Sequence, residues 1–261
     1  MAGVLTDQVG NTIDIPASLG RIITVVPSQT ELLFDLKLGT KIAGITKFCV
    51  HPQHAKSEKT IVGGTKNLKL EKIASLNPDF ILANKEENDR EQIEWLKARF
   101  PTYISDVRSL ETALDMIRDV GRVTITDDLA QEIIQTISNR FEKIDLAMHR
   151  PSVAYLIWKN PWMTVNKDTF IHDMLQRAGF NNVFADRTES RYPILSDSDL
   201  RSANPDFIFL SSEPFPFNDS HQREIATLAP NSKIHSVDGE MFSWYGSRLR
   251  HFNTNLIHEL Y

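Results

Sequence analysis

Cysteine is nearly absent from this chain: Cys49 is the only one in 261 residues. A lone thiol forms no internal disulfide and supplies no four-thiolate metal site. Long apolar runs are absent as well; none reaches the roughly 18 residues that a membrane-spanning helix requires. The first residues, Met1-Ala2-Gly3-Val4-Leu5-Thr6-Asp7, have neither a basic n-region nor an apolar h-region. The sequence as it stands therefore predicts a cytoplasmic protein, and with a leader removed the same sequence would be periplasmic. No strong excess of one charge exists either. The formal net charge is −5 with acidic and basic residues interspersed, which disfavours nucleic acid or an anionic membrane as partner; membrane insertion is not expected either. Catalytic signatures are missing too: there is no Gly-x-Ser-x-Gly elbow, no His-Glu-x-x-His, no Walker A loop and no Gly-x-Gly-x-x-Gly. Cys49 and His51 point the same way on an extended loop, but nothing near them in sequence orients a base.

What the chain does have is a repeat. Asn77-Pro78-Asp79-Phe80-Ile81 returns as Asn204-Pro205-Asp206-Phe207-Ile208 about half a chain later. Each copy follows a helical pattern, opens an apolar run, and leads into a carboxylate-bearing loop. Two similar α/β halves pack as lobes with a ligand crevice between them. The length suits one large domain or two of ordinary size, and 41% hydrophobic with 24% charged residues is ordinary globular composition.

Strand and helix signals alternate in the first half. Residues 22–26 read as a buried strand. Ser28-x-x-Glu31 reads as a capping box opening a helix over 29–37, with Glu31 as the capping partner, and Gly39 closes that helix. Further strands are expected at 41–46, 79–83 and, as an edge, 102–106, with helices at 70–76 and 90–99. From 109 to 149 strand signals vanish. Ser109 caps one expected helix and Thr126 or Asp127 a second. In the second, Leu129, Ile133, Ile134, Ile137, Phe141 and Ile144 form one apolar stripe, so it is expected to run about 22 residues, or about 33 Å, as a rigid connector. The second half has strand signals at 152–158, 182–185, 206–211 and 233–237, a helix at 169–178, and a helical segment over 246–260. The expected division is a lobe over 1–108, connecting helices over 109–150, and a lobe over 151–261, each lobe with a parallel sheet.

Ligands of open parallel sheets bind beyond the carboxyl ends of the strands. The segments there are Pro27-Ser28-Gln29, residues 47–51, residues 84–88, residues 158–162, Arg191-Tyr192-Pro193, residues 213–217 and residues 239–245. Aromatics on such loops suit a flat, partly apolar ligand with polar edges. Cys49-x-His51 reads either as two metal ligands or as a buried thiol beside an unrelated histidine. Glu86-Glu87 reads either as a carboxylate pair or as a solvated cap on the helix near Asp89. Trp244-Tyr245 either stacks on a ligand or anchors the C-terminal segment. The Phe215/Phe217 pair between prolines reads as a rigid loop that forms cleft wall.

Residues 21–33 resemble the first strand and helix of the class III substrate-binding proteins, which serve import of vitamin B12, ferric siderophores and haem. Residues 6–16 are similar to their N-terminal β-hairpin. Leu70-Glu71-Lys72-Ile73 with Asn77-Pro78-Asp79, and the expected helix between lobes, match as well. Residues 46–52, 63–67 and 242–249 are similar to a cobalamin-binding subgroup of the helical backbone metal receptors, commonly without a signal peptide. The resemblance implies an α/β fold of two Rossmann-like lobes joined by one long rigid backbone helix, with the ligand cleft between them. It implies no catalysis and no catalytic cofactor. It implies a monomeric binder of cobalamin or another metal chelate, working with an ABC permease. Phe48, Trp162, Tyr192, Phe215, Trp244 and Tyr245 would supply flat contacts. Lys66, Glu86, Glu87, Glu213 and Arg248 would bond the ligand's amide or carboxylate rim. Glu71 matches a permease-docking glutamate of the B12-binding relatives, whereas its counterpart in the second lobe falls on Ser198. The alternatives are a binder of a ferric siderophore, haem or a bare metal ion through Cys49 and His51, a corrinoid-handling enzyme, and an interaction module docking through Glu71.

Overall fold

Residues 22–26 lie at the centre of the first core, where Ile22, Ile23, Val25 and Val26 are all fully buried. Only the centre of a sheet covered on both faces accommodates such a run. The structure, a computed structural model, describes residues 3–144 and 150–260. It divides into two units. The first comprises Met1–Val107, Glu111–Ile137 and Tyr245–Arg250, and the second comprises Arg108–Leu110, Ser138–Trp244 and His251–Tyr261.

The first unit opens with an antiparallel hairpin, β1 (Gly3–Thr6) and β2 (Thr12–Ile15). Asp7 holds its turn: Oδ1 accepts from the Asn11 and Val9 amides at 2.7 and 3.1 Å, and Oδ2 accepts from Ile104 N at 3.2 Å. The chain then runs through β3 (Ile22–Thr24), α1 (Pro27–Asp35), β4 (Ile42–Ile45), α2 (Ala55–Glu58) and β5 (Thr60–Ile61). It continues through the short pair β6 (Gly63–Gly64) and β7 (Asn67–Leu68), then α3 (Leu70–Ser75), β8 (Phe80–Asn84), α4 (Arg90–Lys97) and β9 (Thr102–Ser105). The five main strands pair in parallel in the order β5-β4-β3-β8-β9. Chain order therefore reverses direction at β3, the arrangement of a doubly wound Rossmann-like sheet.

Two 15-residue helices follow, α5 (Leu110–Thr124) and α6 (Asp127–Phe141). They approach so closely that a Cβ on Gly121 would lie 2.5 Å from the Ala130 Cβ, which is why a residue without a side chain stands there. The expected connector of about 22 residues is shorter as a helix. After Phe141 the amides of Lys143 and Ile144 bond three residues back, to Arg140 O and Phe141 O, the tightening typical of a last turn. The end of the expected span, 145–149, lies outside the described residues.

The second unit repeats the plan. It contains β10 (Ser152–Leu156), β11 (Trp162–Met163), α7 (Phe170–Arg177), β12 (Asn181–Asn182), β13 (Ile194–Leu195), α8 (Asp197–Ala203), β14 (Phe207–Ser211), α9 (Asp219–Leu228), β15 (Lys233–Val237), α10 (Gly239–Ser243) and α11 (Leu256–Leu260). The parallel sheet has the order β12-β10-β14-β15, again reversing at its first strand, and β11 pairs antiparallel with β13. A ladder of rings fills one side: Phe180 lies 5.0 Å from Phe209, and Phe242 lies 5.2 Å from Tyr155.

The repeated Asn-Pro-Asp segments do one job twice. Asn77 and Asn204 adopt left-handed φ of 45° and 37°, ending α3 and α8. The proline that follows prevents the helix from continuing. The aspartate then secures the chain entering the neighbouring strand. Asp79 Oδ2 accepts from Gly20 N and Arg21 N at 2.7 and 2.8 Å, ahead of β3. Asp206 Oδ2 accepts from Ser152 N and Oγ at 2.7 and 2.6 Å, at the start of β10.

The first helix departs from the sequence expectation. α1 begins at Pro27, its N-cap is Val26, and no side chain caps it. Proline at the first position already lacks the amide that a cap would satisfy. Ser28 thus lies inside the helix, and Glu31 is not its capping partner. The C-terminal segment is only partly helical, as a 3-10 turn over Ser247–His251 and the short α11.

Candidate functional site

In the first unit the sheet reversal puts the loops after β3 and β8 side by side. The β8 loop is built from its own asparagines. Asn84 Oδ1 accepts from the Glu86 and Glu87 amides at 2.8 and 3.0 Å. Asn88 Oδ1 accepts from Asn84 N at 2.8 Å, while its Nδ2 donates to Val25 O and Thr65 O, both at 3.0 Å. Gln29 Nε2 donates to Ser105 Oγ at 2.7 Å beneath this loop. Lys66 donates its ammonium to the carbonyls of Glu86 and Asn88, so this lysine shapes the loop itself. Tyr245, 5% exposed, donates to Glu87 Oε1 at 2.8 Å. Burial above all, and then the Glu87 carboxylate, pushes the phenol's pKa far up.

Arg248 faces α1. Its Nε and Nη2 donate to the two oxygens of Glu31 at 2.9 and 2.8 Å, a bidentate pair whose side chains are 17% and 14% exposed. Arg250 Nη2 pairs with Asp35 Oδ2 at 2.6 Å, while its Nε donates to Ser247 O at 3.0 Å. Arg248, expected at a ligand rim, therefore holds residues 245–250 on α1 within the first unit.

Of the two readings of Cys49-x-His51, the buried thiol is the one that the surroundings of Cys49 match. Cys49 is fully buried, with Sγ 3.0 Å from Thr30 Oγ1 and 3.4 Å from Thr46 Oγ1. Burial raises its thiol pKa above 9.0, against the thiolate that a metal needs. Among the described residues no group of three or more His, Cys, Asp or Glu side chains is placed to hold an ion.

In the second unit the loops after β10 and β14 occupy the equivalent place. Glu213 follows β14, and its Oε1 accepts from Ser243 Oγ at 2.6 Å and from Trp244 Nε1 at 2.9 Å. Burial raises its carboxyl pKa above the ordinary value, and the Ser243 bond opposes that shift. A Cβ on Gly239 would stand 2.6 Å from Glu213 Cγ, so only glycine lets α10 approach. Trp162 is a core residue, 6% exposed, stacked on Phe217 at 6.4 Å and donating to Asp197 Oδ1 at 3.2 Å. The tryptophan with free surface is Trp158, 40% exposed, its ring edge-on to Phe215 at 5.3 Å. Phe215 in turn meets Phe217 at 4.8 Å and His221 at 5.3 Å. Tyr192 is half-buried in a loop pinned by Asn166, whose Nδ2 donates to Arg187 O and Ser190 O at 3.0 Å.

The expected contact residues thus fall into two groups. Lys66, Glu87, Trp162, Glu213, Trp244, Tyr245 and Arg248 bond to the protein's own groups. Phe48, at 49%, and the half-buried Glu86, Tyr192 and Phe215 keep accessible surface. Sequence reasoning set Trp158 and Trp162 on one loop and preferred Trp162. The Asn84/Asn88 scaffold went unnoticed, although asparagines four apart at a strand end are a loop-building signal. Glu71 is exposed in the first turn of α3, and Ser198 is exposed at the matching place in α8, six residues before Asn204 as Glu71 is before Asn77.

Residues 22–229 match the family model described as Periplasmic binding protein. An uncharacterized ABC transporter substrate-binding lipoprotein of Bacillus subtilis is 25% identical over 215 residues, spanning 78% of this chain and 67% of that one. A vitamin B12-binding protein of Vibrio cholerae is 26% identical over 200 residues, spanning 75% and 72%. Among solved structures, a periplasmic heme-binding protein in complex with two hemes superposes with a TM-score of 0.79 at 21% identity, covering 92% of this chain and 97% of that one.

Proposed function

The chain belongs to the periplasmic binding protein family, and we propose that it captures a metal chelate, cobalamin or another corrinoid first, for ABC-type import without performing chemistry on it. The observation that carries this reading is the aromatic group beyond the carboxyl end of β10 and β14. Trp158 presents 40% of its surface while Phe215 meets its ring edge-on and is itself backed by Phe217 and His221. An exposed, buttressed indole suits the apolar face of a macrocycle. Tyr192 adds a second flat contact with a polar tip. The names of the B12-binding and heme-binding relatives support the same class of ligand. Glu71 would contribute to permease docking as a rim charge, acting on orientation and association rate.

The test is a titration with hydroxocobalamin, cyanocobalamin and haem, followed by absorbance and calorimetry. Micromolar or tighter cobalamin binding, about −8 kcal/mol, is expected. Trp158→Ala with Phe215→Ala is expected to weaken it at least about tenfold, since an aromatic contact is worth about 1 kcal/mol beyond its area. Haem binding without cobalamin binding would replace the corrinoid by the second ligand class. Binding of none of the three would remove the chelate reading.

A further inference from the structure

The net charge of −5 hides a local imbalance. Residues 37–72 hold eight lysines, no arginine and only two carboxylates, Glu58 and Glu71, a formal +6. Five of those lysines border one feature of the first unit, the outer edge formed by β5 and β4. Lys41 precedes β4 and Lys47 follows it, and the Lys47 amide bonds Gly63 O at 2.8 Å just beyond β5. Lys56 and Lys59 lie on and after α2, which leads into β5, and Lys56 is near enough to act on the Cys49 thiol. Lys37 follows α1, whose Phe34 meets the His54 ring at 5.5 Å beside α2. The two acidic residues of α1 do not neutralise this edge, because Glu31 and Asp35 are already paired with Arg248 and Arg250. Among the described residues, none of the five lysines has a carboxylate within ion-pair distance.

Two exposed apolar side chains lie on the loop that follows β4, next to Lys47. Phe48 is 49% and Val50 38% exposed, with Lys47 Nζ 5.0 Å from the Phe48 ring centroid. Lysines alone on a sheet edge would serve to block edge-to-edge pairing. That role gives no reason to hold a phenylalanine and a valine out in water beside them. We propose that this edge is a docking surface for an anionic lipid bilayer, with the lysines meeting headgroup charge and Phe48 and Val50 entering the interface. A lipid surface fits better than a protein partner. Specific protein interfaces favour arginine and are depleted in lysine, and arginine's planar fork is the group that reads discrete carboxylates and phosphates. A patch made of lysine alone matches diffuse headgroup charge, which attracts each lysine near the surface additively.

The experiment is co-sedimentation of the full chain with phosphatidylcholine vesicles, with and without phosphatidylglycerol, at low and high salt. Polyglutamate and duplex DNA serve as the other anionic probes. Binding to the anionic vesicles is expected to exceed binding to pure phosphatidylcholine at least about tenfold and to fall with salt. K56E with K59E is expected to abolish that preference while the fold, read by circular dichroism, is retained. F48S with V50S is expected to remove the part of the binding that resists salt. No preference for anionic vesicles would overturn the proposal and leave the lysines as edge guards. Equal binding to polyglutamate or DNA, indifferent to F48S with V50S, would overturn it in favour of a soluble polyanion.

Discussion

Tyr245 donates its phenolic hydrogen to Glu87 Oε1 across 2.8 Å, with the ring 5% exposed. The raised phenol pKa keeps that hydroxyl protonated, so the bond is charge-assisted in one direction only. Tyr245→Phe keeps the ring and deletes the donor. The expected cost is about 1.5–3 kcal/mol, the worth of a hydrogen bond to a charged group. Urea unfolding at unchanged m-value measures it. A loss below about 0.5 kcal/mol would mean that Glu87 is held in place by its loop alone.

Glu213 is the corresponding carboxylate of the second unit, and its expected signature is in pH. Burial raises its native pKa above 4.5, so the native state retains a proton that the unfolded chain releases. Its contribution to stability is therefore complete below pH 4.5 and is lost as pH rises through the raised native value. Glu213→Gln retains a carbonyl acceptor for Ser243 and Trp244 but has no proton to lose. Wild type is expected to weaken relative to this variant between pH 4.5 and neutrality, with Trp244 emission following the same titration. Parallel stability profiles over that range would refute the assignment.

What could be read in advance was what is local. The Asn-Pro-Asp segments were visible because a left-handed asparagine, a helix-stopping proline and an accepting carboxylate act within a few residues of one another. The strands at 22–24, 80–84 and 207–211 were visible because burial on both faces demands an unbroken apolar run. Helix α9 went unread, and α8 was read only as the helical pattern ahead of the second Asn-Pro-Asp copy. Their signals are caps, Ser196 with Asp199 and Asn218 with His221, in front of weak apolar stripes. Glu31 was misread because its partner Arg248 lies 217 residues away, beyond any pattern of spacing. Trp158 and Trp162 differ in burial because the chain turns back between them: Trp158 bridges Met163 in antiparallel fashion, and that reversal sends one indole inward.

The Glu31–Arg248 pair carries a coupling prediction. Both side chains are mostly buried and the geometry is bidentate, so neither group is compensated by water when its partner is removed. Arg248→Ala is expected to cost about 2–4 kcal/mol, somewhat below the range for fully buried pairs. In a double-mutant cycle with Glu31→Gln, the coupling energy is expected at about 1–3 kcal/mol. Arg248→Lys should recover only part of the loss, because an ammonium cannot bond both carboxylate oxygens in one plane. Additive single losses would show that Arg248 acts through packing rather than through Glu31.

Cys49 offers the sharpest contrast between the metal reading and the structure. Its sulfur is buried between Thr30 and Thr46, and its pKa is raised by that burial. A thiol that is both inaccessible and protonated reacts slowly with disulfide reagents. The native protein is expected to show negligible labelling by an aromatic disulfide, and one equivalent once unfolded, matching the single cysteine. Cys49→Ser puts a hydroxyl in a pocket that already holds two, and is expected to cost about 1 kcal/mol or less while leaving the metal content of the purified protein unchanged. Fast labelling of the folded chain, or metal lost with the substitution, would reinstate Cys49 as a ligand.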